Sequence, residues 1–409
     1  MAIASAAAYA RGMLSLALLL AAAAPSQQSV GQPGAGEVIE VSSARFRLVT
    51  DLSREEAGEL MEKLETMINH VQRYWGRRLP KPIDMYVARD LSTWPERYLS
   101  RMAPDGALSI RNGGGLTIRQ TARLGTQWDS RCIVYATSER GTAQHEAVHA
   151  YCGLAFGETG PVWYAEGMAE VGQYWRASDP AAVHAHDVVI DYLKGTKPKS
   201  LNELTSLNQQ TGDSWQNYAS RWALCHLLGF NPNYQRLFKP LGLQMLAGKP
   251  VTFEDAYGPQ KPEIAFEYGL FLEHLCQGYR ADLCAWNWRI KPRVPRSRGT
   301  MMTVEAKRGW QPQAVRVEAG TTYAIAADGE WGVGDAAETT ADGLADGRGR
   351  LVGAIFDPEG YELGEPFALG ADVRFTPEQS GQLVLRCRDD WGAIADNDGK
   401  LKVKLTVAE

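Results

Sequence analysis

His145, Glu146 and His149 stand in the order His-Glu-Ala-Val-His, and Glu166 follows seventeen positions after His149 within Trp-Tyr-Ala-Glu-Gly-Met-Ala-Glu. Two imidazoles four residues apart on a helix lie on one face, so both reach a single metal ion. The Glu166 carboxylate, carried by a separate segment, adds the third donor of a catalytic zinc site that keeps one position open for water. Two neutral nitrogens and one anion leave the ion net positive, able to acidify water and polarise a carbonyl. Glu146 projects to the edge of that site and is the candidate general base, removing a proton from water without ligating the ion. In a chain with seven histidines the pentapeptide alone arises by chance on the order of one time in a hundred. Glu166 is what turns it into a three-ligand site.

Several elements must position these groups. Ser53-Arg54-Glu55-Glu56 is a capping box that opens a helix with Leu60, Leu64, Met67, Ile68, Val71 and Trp75 on its apolar face. Pro82 to Val87 has strand character, Gly113-Gly114-Gly115 reads as a loop, and Cys132 to Ala136 is a short β-like run leading into the motif helix. Pro161 is placed to start a second helix, from which Glu166 and Glu170 project on one face. Residues 201 to 279 read as mostly helical, notably Ser214 to Gly229 and Pro262 to Tyr279. Arg289 to Arg298 is basic and carries Pro292 and Pro295, a composition shift expected of a linker or a domain edge. Beyond it the pattern is one of strands at 314–317, 322–326, 351–356, 373–376, 383–388 and 401–407, separated by Gly and Asp-rich turns, as in an all-β sandwich.

Composition narrows the class. The 409 residues have room for two or three domains, and a net charge of −5 gives no electrostatic footprint for nucleic acid. Met13 to Ala24 is an apolar run interrupted only by Ser15 and ending in small residues, which reads as a secretory signal peptide, residues 1–24, followed by a polar leader, 25–43. An uncleaved anchor or a misassigned start is the other reading, but the run is short for a span of about 20 residues, so no stable membrane anchor is expected. Six cysteines fit an oxidising compartment: Cys276 with Cys284 would staple a loop, and Cys132 with Cys152 would tie the motif helix to the preceding strand. Buried free thiols fit equally. His184 and His186 alternate near Asp187, which suits a second metal or a polar helix start, and His226 reads as a packed histidine rather than a catalyst. Near the C-terminus, Leu385 to Gly399 crowds carboxylates and an amide into one loop, which suits calcium as well as an ordinary polar turn.

The pattern H-E-x-x-H followed by W-x-x-E-G-x-A resembles the gluzincin metallopeptidases, and the order of elements over residues 44–288 is similar to exported bacterial peptidase-MA-like domains. The resemblance implies a zincin-like α+β domain in which His145, His149 and Glu166 bind zinc and Glu146 is the base. It also implies that Glu170, where thermolysin-like members carry aspartate, orients a ligand imidazole, and that a Tyr or His stabilises the oxyanion. Tyr218 is the candidate for that donor. After a linker at 289–302, residues 303–409 resemble the calcium-dependent galactophilic lectin-like β-sandwiches. Carried over by position, Asp389, Asp396 and Asn397 would supply side-chain oxygens to calcium and Ala393 its carbonyl. The lectin's sugar-contacting histidine and glutamine have no counterpart between Glu338 and Gly349. The expectation is an exported zinc metallopeptidase acting on a peptide or protein, with a C-terminal β-sandwich that either binds calcium and a glycan other than galactose or is a structural appendage. The alternative is a non-catalytic carbohydrate-binding or surface protein on the same scaffold, against which the intact Glu146 argues. Hydrolysis of a non-peptide amide is a third reading.

Overall fold

The computed structural model describes residues 37–124, 127–206, 214–296, 298–335 and 338–408. The apolar run read as a signal peptide, and the leader up to residue 36, lie outside the described residues. The chain divides into two compact units, one of residues up to 178 with 199–226 and 237–256, the other of 179–198, 227–236 and 257–409. A mixed α/β region thus precedes a region rich in antiparallel sheet.

In the first unit the order is β1 (Ile39–Ser42), β2 (Phe46–Thr50), α1 (Arg54–Trp75), β3 (Ile83–Ala88), α2 (Glu96–Leu99), α3 (Pro104–Arg111), β4 (Gly115–Leu124), β5 (Gln127–Thr137), α4 (Thr142–Ala155) and α5 (Val162–Tyr174). The strands form one sheet in the order β1-β2-β3-β5-β4, with β2, β3 and β5 parallel and the two edge strands antiparallel. β3 is buried along most of its length, as a central strand covered on both faces must be. Tyr86, Ala88, Ile133 and Tyr135 point to one face, where they pack with Trp94, Tyr98 and Ile110. Alternation sends Met85, Val87, Val134 and Ala136 to the other face, and all four are buried.

α1 starts as the sequence predicts: Ser53 Oγ accepts from Glu56 N at 3.2 Å, and Glu56 Oε2 accepts from Ser53 N at 2.9 Å. Its buried stripe runs Ala57, Met61, Leu64, Met67, Ile68, Val71 and Trp75, with Met61 in the place expected of Leu60. The β-like run at Cys132 to Ala136 is the end of an eleven-residue strand, and residues 115 to 124 pair with it as β4, a strand not anticipated from sequence.

The remaining helices are α6 (Asp187–Gly195), α7 (Leu201–Thr205), α8 (Trp215–Phe230), α9 (Gln235–Leu246), α10 (Phe253–Tyr257) and α11 (Lys261–Glu273). α11 ends at Glu273, six residues short of the helical end expected at Tyr279, where His274 caps it and the chain turns through Cys276 to Tyr279.

In the second unit the strands are β6 (Thr300–Glu305), β7 (Gln311–Val317), β8 (Tyr323–Asp328), β9 (Trp331–Gly332), β10 (Leu351–Asp357), β11 (Glu362–Leu363), β12 (Phe367–Ala368), β13 (Asp372–Phe375), β14 (Gly381–Cys387) and β15 (Asp398–Val407). They form two antiparallel sheets, β11-β10-β14-β7 and β13-β8-β15-β6. Val304, Val315, Ile325, Leu351, Leu383 and Leu401, drawn from both sheets, share one core. The other face of β10 and β14 is covered as well, with Val352, Phe356 and Val384 packed against Trp286, Phe266 and Leu270. All six cysteines are free thiols, four of them buried, so neither pairing considered from sequence is formed.

Candidate metal centre

α4 carries the motif and is buried almost all round, from Ala143 through Gly153. It lies against β4, β5, α1 and α5, so its polar residues sit inside the unit rather than on a wet face. α5 supplies Glu166 and comes close to α4 because Gly172 has no side chain: a Cβ there would lie 2.5 Å from Val148 Cγ2.

This packing brings His145, His149 and Glu166 together. His145 Nε2 and His149 Nε2 are 3.1 Å apart, and Glu166 Oε2 lies 3.3 Å from the first and 3.4 Å from the second. An ion bound tetrahedrally at about 2.0–2.1 Å holds its donor atoms roughly 3.3 Å apart, so the three atoms fit zinc. Among the described residues this is the one group of three His, Cys, Asp or Glu side chains whose donor atoms converge in this way.

Electrostatics favour positive charge at that point. Burial lowers the pKa of His145, but hydrogen bonds to Glu166 and Glu170 outweigh it and hold the imidazole well above its ordinary range. Burial raises the pKa of Glu166, and the charge and hydrogen bonds of His149 and His145 outweigh that in turn, keeping the carboxyl far below its usual range. Glu170 Oε1 lies 3.1 Å from His145 Nδ1. A proton on Nδ1 shared with Glu170 leaves the Nε2 lone pair directed at the other two donors.

Glu146, 8% exposed, sits beside the triangle, and the main hold on it comes from β4. Thr117 Oγ1 donates to Glu146 Oε2 at 2.7 Å and also lies 2.9 Å from the main-chain oxygen of Glu146. Gly115 leaves the room its side chain occupies. Neither β4 residue was a candidate from sequence, although Thr117, Arg119 and Thr121 alternate with Leu116 and Ile118 in the period of a strand. Tyr218, in the first turn of α8, has its ring 6.1 Å from that of His145.

The other histidines considered from sequence are not members of this group. His226 is buried on α8 beside Trp222. His186 is the residue before α6, and the His184 Nε2 lies 3.2 Å from the Asp179 main-chain oxygen.

In the second unit Asp389, Ala393, Asp396 and Asn397 fall between β14 and β15, in a segment containing a short 3-10 turn, Ile394–Asp396. Asn397 is 3% exposed; its Nδ2 reaches the Ala306 main-chain oxygen at 3.4 Å, and its Oδ1 has no hydrogen-bond partner. The Ala393 carbonyl accepts from Asp396 N at 3.1 Å, which leaves one lone pair. Trp391 of the same segment stacks on His274, with ring centroids 4.1 Å apart, and the Arg386 guanidinium lies 3.7 Å from its centroid.

No protein-family model matches the chain, and no curated protein matches it. A solved structure described as "EclA N-terminal domain; PllA-like lectin" is similar to it at 22% identity, covering 26% of this chain and 95% of that one, with a TM-score of 0.22. A likeness of that extent leaves the functional reading to the site itself. Among the described residues no helix is long and apolar enough to cross a membrane.

Proposed function

We propose that the chain is a zinc-dependent metallopeptidase. The observation that carries the reading is the triangle of His145, His149 and Glu166 donor atoms, 3.1 to 3.4 Å on a side, with the Glu146 carboxylate beside it. Zinc held there supplies Lewis acidity to a carbonyl and acidifies water. Glu146 takes the proton of the attacking water and returns it to the leaving amine, acting as base and then as acid. Tyr218, next to His145, is the proposed donor to the tetrahedral oxyanion. Glu170 fixes the tautomer and orientation of His145.

A peptide is the favoured amide because β4 is an edge strand and passes the proposed base. An extended substrate that adds to such an edge gains main-chain hydrogen bonds that a small amide does not. We further propose that the loop holding Asp389, Ala393, Asp396 and Asn397 binds calcium, on the strength of the buried, unpartnered Asn397 Oδ1. Carbohydrate binding by this region, and action outside the cytoplasm, are extensions of the same proposal.

The test is metal analysis together with proteolysis of an unfolded protein substrate by the full chain. One zinc per chain is expected, with cleavage lost on chelation and restored by zinc. Purified protein that neither contains nor takes up zinc would overturn the reading.

A further inference from the structure

We infer that Thr117 is a positioning residue that aims the carboxylate of Glu146, so that the proposed base is oriented by an edge strand of the sheet rather than by the helix that bears it. The register places Thr117 opposite Val134 and Gly115 opposite Ala136, on the face of the sheet that meets α4. From there the Thr117 hydroxyl reaches Glu146 Oε2 at 2.7 Å. The hydroxyl has one proton and two oxygens of Glu146 within reach, and the charged carboxylate is the stronger acceptor. With Oε2 held by Thr117, Oε1 is the oxygen assigned to the reacting water.

A glutamate needs such a hold. Its terminal torsion is broad and roughly two-fold, so a helix position alone does not fix which way the two oxygens face. Gly115 supplies the complementary constraint. A Cβ at that position would lie 2.6 Å from Glu146 Cγ and 2.8 Å from Oε1. The space is open to the carboxylate only because residue 115 has no side chain, and Thr117 pins the far oxygen once it is there.

The kinetic consequence rests on the peptidase reading, whereas the orientation of Glu146 does not. Thr117→Val keeps the shape and β-branching while removing the donor. With zinc content and thermal midpoint unchanged, kcat is expected to fall about 10- to 100-fold, part of the 10²–10⁴ contributed by general acid–base groups, with KM within about twofold. Thr117→Ser, which restores the hydroxyl, should return most of the rate, although serine is the poorer strand former. A purely structural role predicts the opposite order. Gly115→Ala should lower kcat by displacing the carboxylate while leaving zinc bound. A crystal structure of zinc-loaded Thr117→Val is the second readout, with the Glu146 carboxylate turned from its wild-type orientation.

Thr117→Val with wild-type kcat, or with an unmoved carboxylate, overturns the inference even if Glu146→Gln is inactive. Wild-type protein that binds zinc but cleaves no peptide overturns the peptidase reading, and the crystal structure of the variant then still decides the role of Thr117.

Discussion

Replacing Glu170 by alanine is expected to weaken zinc binding while all three proposed ligands remain in place. Glu170 Oε1 lies 3.1 Å from His145 Nδ1, and both side chains are 9% exposed, so water does not readily take the place of the lost carboxylate. With Glu170 present, Nδ1 holds its proton and Nε2 keeps its lone pair for the metal. Without it the ring is free to adopt either tautomer and to turn. Partners of this kind typically carry 10- to 100-fold in metal affinity, about 1.4–2.7 kcal/mol. Glu170→Gln keeps an acceptor oxygen but removes the charge, and should fall between wild type and alanine. Competition for zinc against a chromophoric chelator, on the full chain at fixed pH, measures all three proteins. A dissociation constant for Glu170→Ala within about threefold of wild type would refute the argument, because the carboxylate would then be orienting nothing.

Three further outcomes follow from the second unit. Burial, followed by Arg386 and Lys194, lowers the pKa of His274 to about 4, so the fold holds it neutral while the unfolded chain protonates near its ordinary 6.5. Stability should therefore be full above about pH 6.5 and decline as pH falls towards 4, by up to about 3 kcal/mol, and His274→Phe should flatten that decline in urea unfolding. Glu267 is buried and accepts from Asn231 Nδ2 at 2.6 Å, Asn233 Nδ2 at 2.9 Å, Tyr234 Oη at 2.5 Å, Trp286 N at 3.0 Å and Trp288 Nε1 at 2.7 Å. Glu267→Ala strands these donors and should destabilise the unit by at least about 3 kcal/mol, checked by denaturant unfolding; a change under about 1 kcal/mol would contradict it. Calcium should raise the thermal midpoint of the full chain, and Asp389→Ala should abolish the rise; no shift in wild type removes the calcium proposal.

What could be read from the sequence was what is local. His145 and His149 share a face because a helix repeats every 3.6 residues, and Pro161 marks where the segment bearing Glu166 turns helical. The capping box at Ser53 is equally local, with both of its hydrogen bonds inside four residues. β4 was missed because its chemistry is not local. Gly113-Gly114-Gly115 reads as a loop, and Thr117, Arg119 and Thr121 give one side of an edge strand no apolar signal. Only pairing with β5, whose partner residues are up to 21 positions away, brings Thr117 to Glu146. The overlong helix expected at Pro262 to Tyr279 failed for a similar reason. Leu275 is apolar and buried, as a helix continuation would require, yet the chain leaves the helix at His274 to stack that ring on Trp391, more than a hundred residues onward.

The proposed role of Glu146 is that of a base on water beside a zinc ion held by His145, His149 and Glu166. Its most direct test is the Glu146→Gln protein, assayed for zinc content and proteolysis in the same preparation. The expected result is one zinc per chain, as in wild type, with cleavage reduced by about 10²-fold or more. A Glu146→Gln protein that retains zinc and cleaves at the wild-type rate would contradict it.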